Sequence, residues 1–235
     1  MTNRTAIVLG ASGSVGQALL AEILHSGGFQ RVLVMTRRPL ALPAGTVVEE
    51  RLVPAMTPEA LTQAVVEALQ SQEGEVLGFS VLGVGAGTAR LTLEEHREVD
   101  VALNAAFAKG LKASGKVQHL LFMSAIGADH NARTTGSGAA GMARYARVKG
   151  EAEVAVTREG PAIVSIFRPA LILGSQHTPR LLAALLPLFT WLTPVNFRSI
   201  RTTEIARAMI AAALHTPVRS AIYNFPQMMG LCSRK

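Results

Sequence analysis

An apolar run near the amino end, Ile7-Val8-Leu9, breaks into Gly10-Ala11-Ser12-Gly13-Ser14-Val15-Gly16 and resumes as Gln17-Ala18-Leu19-Leu20. The order is strand, glycine turn, helix. Three glycines at a spacing of three let the chain turn sharply, let its backbone approach a pyrophosphate, and let the helix pack tightly on the strand. The amides of the first helical turn then face an anion. Such a pattern alone often marks only a tight turn. Here it follows a buried-type strand and precedes an amphipathic helix, the context that dinucleotide binding requires. Gly10, Ser12, Gly13, Ser14, Val15 and Gly16 are therefore candidate cofactor-binding residues.

Beyond that turn, short apolar runs alternate with longer stretches of helical period, which predicts an α/β fold, a doubly wound parallel sheet with helices on both faces. Strands are expected at 5–9, 31–35, 46–49, 78–83, 118–123 and 162–167. Helices are expected near 14–26, 58–71, 92–113, 142–158, 178–191 and 203–214. Two helix starts carry their own signals: Thr57-Pro58-Glu59 offers a cap, a proline at the first position and an acid at the positive dipole end, and Thr92 with Glu95 has the form of a capping box. The small-residue run Thr134 to Gly141 reads as a loop. With 235 residues, 49% hydrophobic and 17% charged, the chain is expected to form a single domain over 1–235, with 175–200 as a substrate-side cover.

Composition excludes several classes. The formal charge of +7 permits an anionic ligand. The basic residues, 18 Arg and 5 Lys, are scattered rather than massed, so no nucleic-acid partner is expected. One cysteine, Cys232, forms no internal disulfide and builds no structural zinc site, and the six histidines lie far apart, so no metal is expected. No signal peptide is expected at the amino end, and the compartment is expected to be the cytoplasm. The apolar stretch 181–192 contains Pro187 and falls short of the roughly 20 residues that span a bilayer. No transmembrane segment is expected.

The second strand ends in Thr36-Arg37-Arg38, where an acidic residue would grip the ribose 2′-hydroxyl of NAD. Guanidinium groups pair bidentately with phosphate, so Arg37 and Arg38 suit the 2′-phosphate of NADP, and NADP(H) is preferred over NAD(H). The alternative is an ordinary solvated turn. Ser80-Val81-Leu82-Gly83 runs toward the same crevice, which makes Leu82 and Gly83 candidates near the adenine ribose or members of a plain loop. Ser124 closes the strand ending Leu121-Phe122-Met123, and Tyr145 and Lys149 stand four apart on a later helix. At that spacing an ammonium sits beside a phenol, which fits Tyr145 for proton transfer.

Taken in order, Gly10 to Gly16, Arg37-Arg38, Val99-Asp100, Ser124 to Asp129, Tyr145-Ala-Arg-Val-Lys149 and Ile166-Phe-Arg168-Pro169 resemble the short-chain dehydrogenase/reductase superfamily. The resemblance is to its atypical members, particularly the Tat-interacting-protein oxidoreductase branch and the NmrA-like NAD(P)H-binding proteins. It implies a Rossmann-type fold binding NADP(H), with Ser124 polarising a substrate oxygen, Tyr145 exchanging its proton and Lys149 holding the nicotinamide ribose. Arg168 and Pro169 would lie along the nicotinamide. The sequence departs from that pattern in two places: 20 residues separate Ser124 from Tyr145, and Asp100 stands roughly where many extended members carry a relay asparagine.

The expected function is therefore that of an NADP(H)-dependent oxidoreductase acting on a small carbonyl or hydroxyl compound, with catalytic Ser124, Tyr145 and Lys149. The competing expectation is an NADP(H)-binding regulatory or scaffold protein with little turnover. The short remainder after Pro169 disfavours a bulky nucleotide-sugar substrate. The apolar segment 181–191 would roof a pocket, pack in a homodimer or touch a membrane surface.

Overall fold

The computed structural model describes residues 3–40, 47–85, 88, 91–133, 140–173 and 194–233. Seven parallel strands form one sheet: β1 (Arg4–Leu9), β2 (Arg31–Thr36), β3 (Val48–Leu52), β4 (Glu75–Ser80), β5 (Val117–Met123), β6 (Ile163–Phe167) and β9 (Ala221–Tyr223). Their order is β3-β2-β1-β4-β5-β6-β9, with a separate parallel pair formed by β7 (Ile172–Leu173) and β8 (Ile200–Arg201). The direction of winding reverses between β1 and β4. Crevices for ligands in open α/β sheets lie at the carboxyl ends of the strands beside such a reversal.

The central strands are apolar on both faces because both are covered. Ala6 and Val8 of β1, with Val32 and Val34 of β2, face one core together with α1 (Ser14–Ser26) and α6 (Thr202–Leu214). Ile7, Leu9, Leu33 and Met35 face the opposite core under α2 (Pro58–Leu69), α4 (Leu103–Ala113) and α5 (Ala140–Glu159). A short helix α3 (Leu93–Arg97) precedes a π turn, Glu98–Ala102, and α7 (Phe225–Cys232) follows β9.

Both capping signals are realised: the Thr57 side chain accepts from Ala60 N, and Thr92 and Glu95 form a reciprocal capping box. Several boundaries differ from expectation, among them β3, which runs over Val48–Leu52 rather than 46–49. β4 begins and ends three residues early, because Val81-Leu82-Gly83 leaves the sheet to pack against the glycine turn, and its first residue, Glu75, is a partner of Arg4 at 2.5 Å rather than an apolar residue. The expected helix 92–113 is broken by the π turn. Helix α5 takes in Ala140 and Gly141, which had read as loop. The short edge strand β9 and helix α7 were not anticipated, since a three-residue edge strand has too little pattern to read. The expected helix 178–191, most of the expected cover, 175–200, and most of the expected loop, 134–141, lie outside the described residues.

Candidate functional site

At the winding reversal, Gly10 has φ +89°, and a Cβ there would come within 2.6 Å of Leu82 N. Only glycine lets the loops after β1 and β4 meet this closely. Gly13 is the N-cap of α1 and carries no capping side chain. A Cβ on it would meet nothing nearer than Gly10 O at 3.6 Å, so its small size serves no packing need within the chain. The space before the helix start stays clear for an anion.

A cavity of about 200 Å³ opens beside this turn, lined by Leu9, Gly10, Ala11 and Ser12 after β1, Met35, Thr36 and Arg37 after β2, and Leu82 after β4, with Met56, Val99 and Leu103. Three strand ends thus contribute to one slot. Met56 adopts φ +43°, a left-handed conformation that is strained for a side chain of its size. Arg37 and Arg38 are exposed, and Thr36 Oγ1 donates to Arg38 O at 2.7 Å, which shapes their turn. Of the pair, only Arg37 lines the cavity. Apolar walls, an open helix start and exposed guanidinium groups form a donor set that suits a phosphate-bearing dinucleotide. A larger open groove of about 500 Å³ lies against α2, α4 and the end of α5, and none of these strand ends lines it.

Ser124, just past β5, is almost fully buried. Its backbone N donates to Phe167 O at 2.7 Å, and its Oγ has no hydrogen-bond partner. A buried hydroxyl left unpaired is costly and calls for an explanation such as a ligand or water. The chain after Ser124 folds onto α5: Asp129 N donates to Ala146 O at 2.9 Å. Tyr145 and Lys149 lie on successive turns of α5, and Lys149 Nζ is 5.9 Å from the centre of the Tyr145 ring.

Asp100, which the sequence places near the relay position, and His96, which it does not single out, complete the cluster. Asp100 Oδ1 lies 2.6 Å from Lys149 Nζ, both side chains being buried, and Asp100 Oδ2 accepts from Val84 N at 3.0 Å. Gly83 leaves room for this ion pair, since a Cβ there would come within 3.0 Å of Nζ and 3.1 Å of Oδ1. Burial alone would lower the Lys149 pKa, but Asp100, with smaller help from Tyr145 and Glu153, outweighs it and raises the pKa, so the ammonium is retained. His96, fully buried, stacks on Tyr145 with ring centres 6.0 Å apart and an 18° tilt. Sequence offered a faint signal, since His96 and Asp100 are one helical turn apart.

Asn104, one turn after Asp100, is also buried, but it serves the scaffold: its Nδ2 donates to Asp100 O at 2.9 Å and its side chain meets Ser80 Oγ. Arg168 is tied by two bonds to Glu153 of α5, at 2.8 and 2.5 Å, so its guanidinium is engaged within the fold. Pro169 is buried and its carbonyl accepts from Ile126 N at 2.9 Å, binding this segment to the loop after Ser124. Val15 is buried, so only its backbone is available at the helix start.

Comparison with known proteins places the chain in a family and a fold. The profile of a family described as NAD(P)H-binding matches residues 10–217. Protein HTATIP2 of Rattus norvegicus is 28% identical over 181 residues, spanning 77% of this chain and 67% of that protein. Protein FMP52, mitochondrial, of Eremothecium gossypii is 30% identical over 179 residues, spanning 74% and 68%. Among solved structures, MoeE5 in complex with UDP-glucose and NAD superposes with a TM-score of 0.64 at 17% identity, over 94% of this chain and 75% of that one. The last likeness concerns the Rossmann-type fold.

Proposed function

Since the chain belongs to the NAD(P)H-binding family, we propose that it is an NADP(H)-dependent oxidoreductase acting on a small carbonyl or hydroxyl compound. The observation that carries this reading is the buried, unpartnered Ser124 Oγ on a loop bonded to the helix that bears the paired Tyr145 and Lys149. In this reading Gly10, Ser12, Gly13, Ser14, Val15 and Gly16 hold the pyrophosphate, Arg37 and Arg38 the 2′-phosphate, and Leu82 the adenosine side, while Gly83, packed against Lys149 Nζ, stands toward the nicotinamide ribose. The cofactor supplies the hydride.

Tyr145 gives its proton to the oxygen that gains charge during reduction, and Ser124 Oγ donates a hydrogen bond to that oxygen. Lys149 keeps a positive charge beside the phenol. An ammonium has three donors, so Lys149 can stay on Asp100 and still offer an N–H to the nicotinamide ribose. For Arg168 and Pro169 the contribution is backbone along the nicotinamide, because Glu153 occupies the guanidinium. Residues 175–200 are assigned to the substrate cover. A reducing compartment fits the single cysteine, and both the cytosol and the mitochondrial matrix are reducing.

Tyr145→Phe is expected to abolish turnover of a carbonyl panel, followed by NADPH absorbance, while NADPH affinity survives. Turnover persisting in that variant would remove Tyr145 as the acid. A second reading, an NADP(H)-binding regulatory protein, draws on one observation: the Lys149 ammonium is already held by Asp100 at 2.6 Å. Tight NADPH binding with inactivity across the panel would favour it.

A further inference from the structure

His96 sits on a short capped helix, yet it is wholly buried and neither ring nitrogen has a hydrogen-bond partner. Burying an imidazole without partners is unfavourable, so the site must compensate or use it. Its Nε2 stands 3.6 Å from Asp100 Oδ2, too long for a hydrogen bond but short enough to close on an imidazolium. The π turn that follows α3 puts Asp100 between two groups: Oδ1 faces the Lys149 ammonium and Oδ2 faces His96. Single π turns are frequent at functional sites.

The charged and titratable groups that act on His96 from other elements are Asp100 in the π turn and Arg144, Tyr145 and Lys149 on α5. On its own helix, Glu95 is turned to Thr92, and Arg97 is bonded to Glu151 of α5. Burial lowers the His96 pKa below its ordinary value; Asp100 opposes this, and Arg144 and Lys149 reinforce it. At neutral pH the ring is therefore uncharged and packs flat on the phenol of Tyr145.

We propose that His96 is a positioning residue for Lys149 and Tyr145. While neutral, it leaves the Asp100 carboxylate to Lys149 and supports the Tyr145 ring. When protonated, it draws Asp100 Oδ2 to itself and loosens the anchor of Lys149. This inference rests on the reading of the site as an NADP(H) site in which Lys149 meets the nicotinamide ribose.

The test is calorimetric titration with NADP⁺ at pH 8 and pH 5.5 on the wild type, His96→Phe and His96→Gln. The titration of the nucleotide's own 2′-phosphate is common to all three proteins and cancels in the comparison. The wild type is expected to lose more affinity on acidification than either variant, by less than the roughly tenfold that one linked proton of ordinary imidazole pKa would produce at pH 5.5, because burial holds the His96 pKa down. Thermal melting at both pH values identifies a variant that has not folded, and the other then carries the comparison. An acid loss of equal size in wild type and variants, or none in the wild type, overturns the role of His96 and leaves the cofactor reading standing. Failure to bind NADP⁺ at either pH in folded wild-type protein overturns both.

Discussion

Gly16 is held by its neighbours more tightly than any nucleotide would require. A Cβ there would lie 2.1 Å from Gly10 O, so even alanine forces the turn and α1 apart. Gly16→Ala is expected to destabilise the fold by about 1–3 kcal/mol, the range for overpacking, as measured by urea denaturation, and to weaken NADPH binding with it. Gly13 has no such constraint from the chain, so Gly13→Ala should cost affinity with little loss of stability. Arg37 and Arg38 are exposed side chains at the end of β2, and in the proposed function they meet the 2′-phosphate. The double change to Ala is expected to lower NADPH affinity tenfold or more while leaving NADH affinity nearly unchanged, since charge-assisted hydrogen bonds are worth roughly 1.5–3 kcal/mol. Equal losses for the two nucleotides would show that the arginines form an ordinary solvated turn.

Between elements, the central strands are joined by a buried polar link as well as by their ladder. His119 of β5 lies 2.9 Å, through Nε2, from Ser165 Oγ of β6. Burial holds its pKa down to about 4 from the ordinary 6.5, against a small opposing pull from Glu75. The folded imidazole stays neutral while the unfolded one takes up a proton, so acid favours unfolding through this group. Its contribution is complete above about pH 6.5, falls as the pH drops from 6.5 toward 4, and is constant below. The full loss is about 3 kcal/mol. Urea denaturation at pH 7.5 and 4.5 should show this extra acid loss in the wild type and not in His119→Gln. The packing of the Ser124 loop on α5 is similarly specific: a Cβ on Gly150 would lie 2.1 Å from His130 N, so the helix is bare where the loop crosses it. That crossing sets Ser124 relative to Tyr145 across 20 intervening residues.

For the whole molecule, α6 and α7 finish the core that α1 begins. Ile205, Met209 and Ile210 of α6 and Met228 of α7 are buried in the same cluster as Val8, Leu19 and Ile23. Removing residues 202–235 would strip this cover and delete edge strand β9. The shortened chain is expected to show no cooperative thermal transition by circular dichroism, whereas a trimmed protein that melted like the full chain would mean the first core is sufficient without α6.

The first six strands of the sheet and the helices between them, the glycine turn, both caps and the positions of Tyr145 and Lys149 were legible in the sequence, because backbone conformation, 3.6-residue period and turn chemistry act over a few residues. β9 was not, because three residues on an edge need no buried pattern of their own. Nor did local pattern show that Lys149 is gripped by Asp100, that Arg168 is claimed by Glu153, or that His96 lies beneath Tyr145. Each of these pairings joins different elements, and which charge meets which is settled only when the helices pack and water is excluded.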